Sequence, residues 1–168
     1  LSNHFALYEG YVKNTNALLE LLPTKTLGTP ERAELQRRFG WEWNGMRLHE
    51  LYFENLSPET QVLSDGSLKE KLVATFGSLE AWQEDFLGLA AMRGIGWALL
   101  VEDTESKMLF NTWVTEHDGG HLAGTRPLLV LDVFEHAYLS DYGIKRAEYL
   151  AAFARHIHWN AVEKRFGQ

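Results

Sequence analysis

An aspartate, a glutamate and a histidine, Asp132, Glu135 and His136, follow within five positions of one another where the apolar run "PLLVLDVF" (127–134) would be expected to stay buried. Burying ionisable groups costs several kcal/mol unless they are paired or bind a metal. Asp132 and His136 lie four apart across a strand-to-helix junction, so both side chains can face one ion if the backbone turns between them. Spacing alone equally fits a plainer arrangement, a histidine hydrogen-bonded in the core and an aspartate capping the next helix. Two more imidazoles join the candidates. His49 sits among Leu48, Leu51, Tyr52 and Phe53 on an inward helix face, where a lone histidine is commonly a satisfied core residue. His4 lies near Phe5, Tyr8 and Tyr11, close enough to the start of the sequence to be a frayed end.

The chain has no cysteine, which removes disulfides, thiolate metal sites and cysteine nucleophiles. A metal site would therefore use His, Asp and Glu, mixing nitrogen and oxygen donors as catalytic sites do. Other chemistries find little support. "RGIGWA" (93–98) lacks a third glycine in phosphate-loop register and no helix follows it. No G-x-S-x-G element occurs. "EHDGGH" (116–121) reads equally as a metal-like cluster and as a surface turn. His156 and His158 in "ARHIHWN" are two apart and fall on different helix faces, so they are not expected to chelate together. A net charge of −7, with only 16 Lys and Arg spread thinly, argues against nucleic-acid or anionic-membrane partners. No apolar run approaches the roughly 18–20 residues that span a bilayer. A cytoplasmic location is the expectation, with a removed leader left open by the Leu1 start.

The elements that position these residues fall into two parts. "HFALYEGYVKNTNALLELL" repeats apolar residues near the helical period. Thr29 and Pro30 cap and open a second helix, expected to break around Gly40 and resume as "NGMRLHELYFENL". "SLKE" (67–70) reads as a capping box opening "LKEKLVATF", stopped by Gly77, and "LEAWQEDFLGLAAM" reads as a helix up to Gly94. "GWALLVED" and "KMLFNTWVT" read as a strand hairpin turned by "TESK", and "PLLVLDVF" as a third strand. One closing helix is expected over "AEYLAAFARHIHWNAVEKRF". The order of helices, three strands and helices predicts an α+β fold. A helical-hairpin lobe over residues 1–62 would precede an α/β lobe over 63–168, with a three-stranded antiparallel sheet flanked by helices.

"LDVFEHAYLSDY" resembles the "DxWEHAY" signature of the iron/manganese superoxide dismutases. "HELYFENLSP" (49–58) looks like that family's second ligand segment, and "FGSLEAWQEDF" like its linker into the next helix. "GIGWALL" resembles its "GSGWxWL" strand entry, "YVKNTNALL" its first helix, and the closing segment its last helix. The similarity runs in order through nearly the whole chain. It implies a superoxide dismutase holding one iron or manganese ion per chain, with iron preferred, superoxide as substrate, and a homodimer or tetramer as the assembly. A metal-binding relative with little dismutase activity is the second reading, and a non-enzymatic helical interaction module the third.

Carried over by position, the resemblance makes His49, Asp132 and His136 metal ligands. An ungapped alignment of the first helix puts Asn3 at the fourth ligand position, and a one-residue shift puts His4 there; His4 is the expectation. Tyr11 becomes the gateway tyrosine, with Tyr8 its substitute if the register slips. Leu7 and Leu139 stand where the family often has a histidine and a tyrosine paired across the dimer. Gly45 occupies a position where some members keep a glutamine, and His117 in "EHDGG" would then supply the hydrogen bond to metal-bound solvent. Trp97 resembles the tryptophan walling the site, and Phe134 replaces another. Glu135 matches the residue that reaches the partner's ligand histidine, and Arg146 an arginine that guides the anionic substrate.

Overall fold

A computed structural model describes residues 2–167, with side chains from His4 onward. The chain divides into two compact units, Leu1–Glu50 and Leu51–Gln168.

In the first unit, α1 (Ser2–Leu21) is followed by a short 3-10 turn (Leu22–Thr24) and then α2 (Pro30–Glu54). Thr29 Oγ1 accepts from the Arg32 amide at 3.3 Å, so the expected cap forms and Pro30 takes the first helical position. The two helices run antiparallel: Tyr8 on α1 bonds Glu50 on α2, whereas Asn14 bonds Glu42. The expected break at Gly40 is absent, and α2 runs unbroken for 25 residues. A glycine in a helix interior costs only about 1 kcal/mol. Contacts one turn apart span that position: Arg38 pairs with Glu42 at 2.6 Å, and Phe39 packs on Trp43 with ring centroids 5.8 Å apart.

The second unit holds the last turn of α2, α3 (Ser67–Phe76), α4 (Leu79–Ala90), the strands β1 (Gly96–Asp103), β2 (Leu109–Thr115) and β3 (Thr125–Asp132), and then α5 (Leu139–Tyr142), α6 (Arg146–Arg155) and α7 (Trp159–Phe166). The sheet order is β2-β1-β3 with both pairings antiparallel, so the expected α+β architecture is the observed one. Leu99, Leu100, Leu129, Val130 and Leu131 are completely or almost completely buried, as the continuous apolar runs of β1 and β3 require.

In this unit local expectations fail in three places. The "SLKE" box does not cap α3: Gly66 is the N-cap, no side chain accepts an amide there, and Ser67 is already helical. Helix α4 ends at Ala90, four residues before Gly94. The closing helix is two helices, broken at residues 156–158. There Ile157 bridges to Leu56, the His158 amide donates to Asn55 O at 2.6 Å, and the Ser57 amide donates to His156 O at 2.8 Å. A strand-like exchange with residues 55–57 outcompetes helix continuation. Arg165 fastens the same region, donating to Leu128 O at 2.9 Å, Leu51 O at 3.2 Å and Glu54 Oε2 at 2.7 Å, and also to Asn55 Oδ1.

Candidate metal centre

His4 and His49 are brought together by α1 and α2. Their ring centroids lie 5.2 Å apart, edge to face, and both residues are buried. His49 Nδ1 lies 2.6 Å from Gly45 O, one helical turn back. A carbonyl only accepts, so Nδ1 carries the proton and Nε2 keeps its lone pair, the form a metal ligand needs. Tyr11 stacks on the His49 ring with centroids 5.2 Å apart, and its ring fills the space above Gly45. A Cβ on Gly45 would sit 2.6 Å from Tyr11 Cδ1, so only glycine leaves room for this ring position. The Tyr8 hydroxyl instead donates to Glu50 Oε1 at 3.0 Å. The side chain of Asn3, the alternative first donor, lies outside the described residues.

Strand β3 ends on Asp132. Its Oδ1 accepts from the Phe134 amide at 2.8 Å, a two-residue turn that points Oδ2 to His136 Nε2 at 3.0 Å. His136 belongs to a single 3-10 turn (Glu135–Ala137), so the chain turns between the two residues as the four-residue spacing requires. Two ligand atoms about 2.1 Å from one ion and at right angles around it lie about 3 Å apart. This pair therefore already has the separation of adjacent ligands.

Phe134 is stacked between two imidazoles, with centroids 4.9 Å from His117 and 5.2 Å from His136. The Trp97 indole is edge-on to Phe134 at 6.0 Å and donates from Nε1 to His117 Nδ1 at 3.1 Å. Accepting at Nδ1 fixes His117 as the tautomer with its proton on Nε2. The "EHDGG" segment is a tight turn, with Glu116 at φ 51° and Gly120 at φ 101°, and it carries His117 fully inside. His121 Nε2 lies 2.9 Å from His117 O. Glu135 is exposed. Arg146 donates to Ala90 O at 2.6 Å and Gly94 O at 3.2 Å. His156 and His158 face the carbonyls of Ser57 and Glu54, at 3.1 and 3.2 Å, in the break between α6 and α7. They are helix-end anchors.

Sequence reasoning did not find the tyrosines around Asp132. Tyr149 OH donates to Asp132 O at 2.7 Å and lies 3.1 Å from Tyr52 OH. Burial raises the ionisation of both phenols above its ordinary value near 10, so both stay protonated. A tyrosine at 149, seventeen residues on in an amphipathic helix, carries no local signal of that bond.

Among the described residues, the first unit brings the His4 and His49 imidazoles together, and the second brings together the Asp132 carboxylate and the His136 imidazole. Three imidazoles and one carboxylate, without thiolate, suit a first-row transition metal such as iron or manganese. The fold and this donor set define the class, an α+β protein with the means to hold a mononuclear metal. The family model for iron/manganese superoxide dismutases, C-terminal domain, matches residues 64–165. Superoxide dismutase (Mn) 2 of Haloferax volcanii is 38% identical over 168 residues, covering 99% of this chain and 84% of that protein. Superoxide dismutase (Fe) of Cupriavidus metallidurans is 39% identical over 169 residues, covering 95% and 82%. Superoxide dismutase (Fe) of Aquifex pyrophilus is 36% identical over 172 residues, covering 97% and 80%. The chain belongs to the iron/manganese superoxide dismutase family.

Proposed function

We propose that this chain disproportionates superoxide, with His4, His49, Asp132 and His136 as the ligands of one iron or manganese ion. Two superoxide anions and two protons give one dioxygen and one hydrogen peroxide. The ion supplies one-electron storage, so that the two anions react one at a time. What carries the reading is the two donor pairs, His4 with His49 and Asp132 with His136, in a member of this family.

The protein's own groups prepare the site. Gly45 O sets the face that His49 presents, and the Phe134 amide fixes the Asp132 carboxylate so that Oδ2 lies beside His136. His117, held neutral with its proton on Nε2 by the Trp97 indole, is suited to donate to solvent at the site and to tune its proton affinity. This His117 pattern favours iron over manganese. Tyr11, against the His49 ring, is the gateway residue; the Tyr8 hydroxyl, already given to Glu50, is less suited to that task. Trp97 and Phe134 keep the site apolar around a small anion. Arg146 retains its charge while bonded to two carbonyls and so can draw superoxide locally in a chain of net charge −7.

We also assign the chain to a homodimer or higher assembly in the cytoplasm, with an antioxidant role. Exposed Glu135 is free to reach a second copy, and Leu7 and Leu139, 40% and 43% exposed, are apolar groups such a copy would cover. We place the domain boundary at 62/63, a reading supported by the opening of the C-terminal-domain match at residue 64.

Metal analysis and a superoxide assay on iron-loaded and manganese-loaded protein test the activity and its metal. Little dismutation at full occupancy with either ion would overturn the enzyme reading and leave a metal-binding relative. His4→Ala should abolish metal retention; if retention persists, the first ligand is not His4.

A further inference from the structure

The peptide unit joining Asp132 to Val133 is gripped at both ends. Its carbonyl accepts from Tyr149 OH at 2.7 Å, and its N–H donates to Gly96 O at 3.0 Å. Trp97 and Asp132 are the last partners in the β1–β3 register, so the sheet ends there. A phenol from α6, rather than another strand, takes up the final carbonyl. Because a peptide unit is planar, fixing its carbonyl and its amide fixes its orientation. The Asp132 carboxylate follows, since Oδ1 is tied back to the Phe134 amide and cannot turn independently of residues 132–134.

The hydroxyl that makes this contact is itself directed. Tyr149 has one phenolic proton and spends it on Asp132 O, so across the 3.1 Å contact between the two hydroxyls Tyr52 is the donor. The chain runs one way, from Tyr52 to Tyr149 to the Asp132 carbonyl, and each bond polarises the next. The rings are held as well. Tyr149 stacks on Tyr138 at 5.7 Å, and Tyr52 lies parallel to Phe153 at 6.1 Å.

We propose that Tyr149 is a positioning residue for the Asp132 carboxylate, with Tyr52 orienting its hydroxyl, so that Oδ2 is presented to the metal at a fixed place beside His136. The inference rests on the reading of Asp132 as a ligand. The test uses full-length, metal-loaded protein and two readouts besides activity: the visible absorption band of the trivalent metal, and the rate of metal loss to excess EDTA. Tyr149→Phe keeps the ring and removes only the hydroxyl. It should shift the band and speed metal loss by about 10-fold, the scale on which groups orienting a ligand act. Tyr52→Phe should produce the same changes to a smaller degree. Wild-type band and retention in Tyr149→Phe would overturn the inference, as would a lowered melting midpoint of the metal-free chain with both metal readouts unchanged, which is the mark of packing alone. If Tyr149→Phe does not fold, Tyr52→Phe decides, and wild-type behaviour there overturns the chain of hydroxyls. Asp132→Asn separates the two readings: loss of metal upholds the ligand assignment whatever Tyr149 does, and full retention removes it along with this inference.

Discussion

Gly45→Ala sets two opposed effects against each other at one position. Gly45 lies inside α2, where alanine is favoured over glycine by about 1 kcal/mol. If backbone preference were all, the substitution would stabilise. The added methyl, however, would meet Tyr11 Cδ1 at 2.6 Å, Cε1 at 2.7 Å and Cγ at 3.1 Å. Comfortable carbon contacts are about 3.5–4.0 Å, so the ring would have to retreat by roughly 1 Å. It is not free to do so: it stacks on His49 and rests on Trp41, with centroids 5.2 and 5.6 Å away. Overpacking of this kind costs about 1–3 kcal/mol. The steric effect wins, leaving a net destabilisation of roughly 1 kcal/mol and a melting midpoint lower by about 2–4 °C for a chain of this size.

The decisive assay is a double-mutant cycle on metal-free protein, read by calorimetry or denaturant melts. In a Tyr11→Ala background the clash is gone and only helix preference remains, so Gly45→Ala should then stabilise, by up to about 1 kcal/mol. The sign must reverse between the two backgrounds. If Gly45→Ala stabilises both equally, Tyr11 does not occupy the space that glycine leaves, and the account of Gly45 as the seat of the gateway ring is refuted.

Trp97→Phe removes the N–H that fixes the His117 tautomer; nitrogen NMR of labelled imidazole should then show a proton on Nδ1 in part of the molecules, where the wild type shows none. Arg165→Lys cannot reproduce the fork that serves three carbonyl or amide oxygens and Glu54, so it should cost about 1–3 kcal/mol in denaturant melts even though the charge is kept. Tyr52 and Tyr149 are neutral in both folded and unfolded chains below pH 10, and above it the unfolded chain ionises first because burial raises both folded pKa values. Stability should therefore hold up to about pH 10 and then fall by about 1.4 kcal/mol per pH unit for each tyrosine, and Tyr52→Phe should halve that slope. Stripping the metal should lower the melting midpoint, since free metal at 100 times its dissociation constant contributes about 2.7 kcal/mol, a difference read by scanning calorimetry with and without chelator.

The strands were legible because β1 and β3 are uninterrupted apolar runs with one register that buries them. The helices were legible less evenly. Gly40 looks like a breaker in isolation, but its cost is only about 1 kcal/mol, and the Arg38–Glu42 and Phe39–Trp43 contacts span it in an unbroken α2. The break at residues 156–158 was hidden for the opposite reason: local preference continues the helix, and a pairing with residues 55–57, about a hundred positions earlier, ends it. Residues 67–70 have the composition of a capping box, but Gly66 already starts the helix, which moves Ser67 one position too far in.

The donors divide along the same line. His49 is oriented by the carbonyl four residues before it, and Asp132 by the amide two residues after it, which also brings Oδ2 beside His136 Nε2. Each contact closes within one turn of chain, so residue type and spacing are enough to suggest it, and the short motif "DVFEH" carries both its donors and the geometry that aims them. The Tyr149 hydroxyl reaches Asp132 across 17 residues, and Tyr52 reaches Tyr149 across 97. No local pattern encodes those bonds, yet they act on the backbone beneath the motif. Short-range bonds thus choose which atom of each donor is offered, and long-range ones decide how firmly it is held. Substitutions of the first kind should change whether a metal binds at all, and those of the second kind how long it stays.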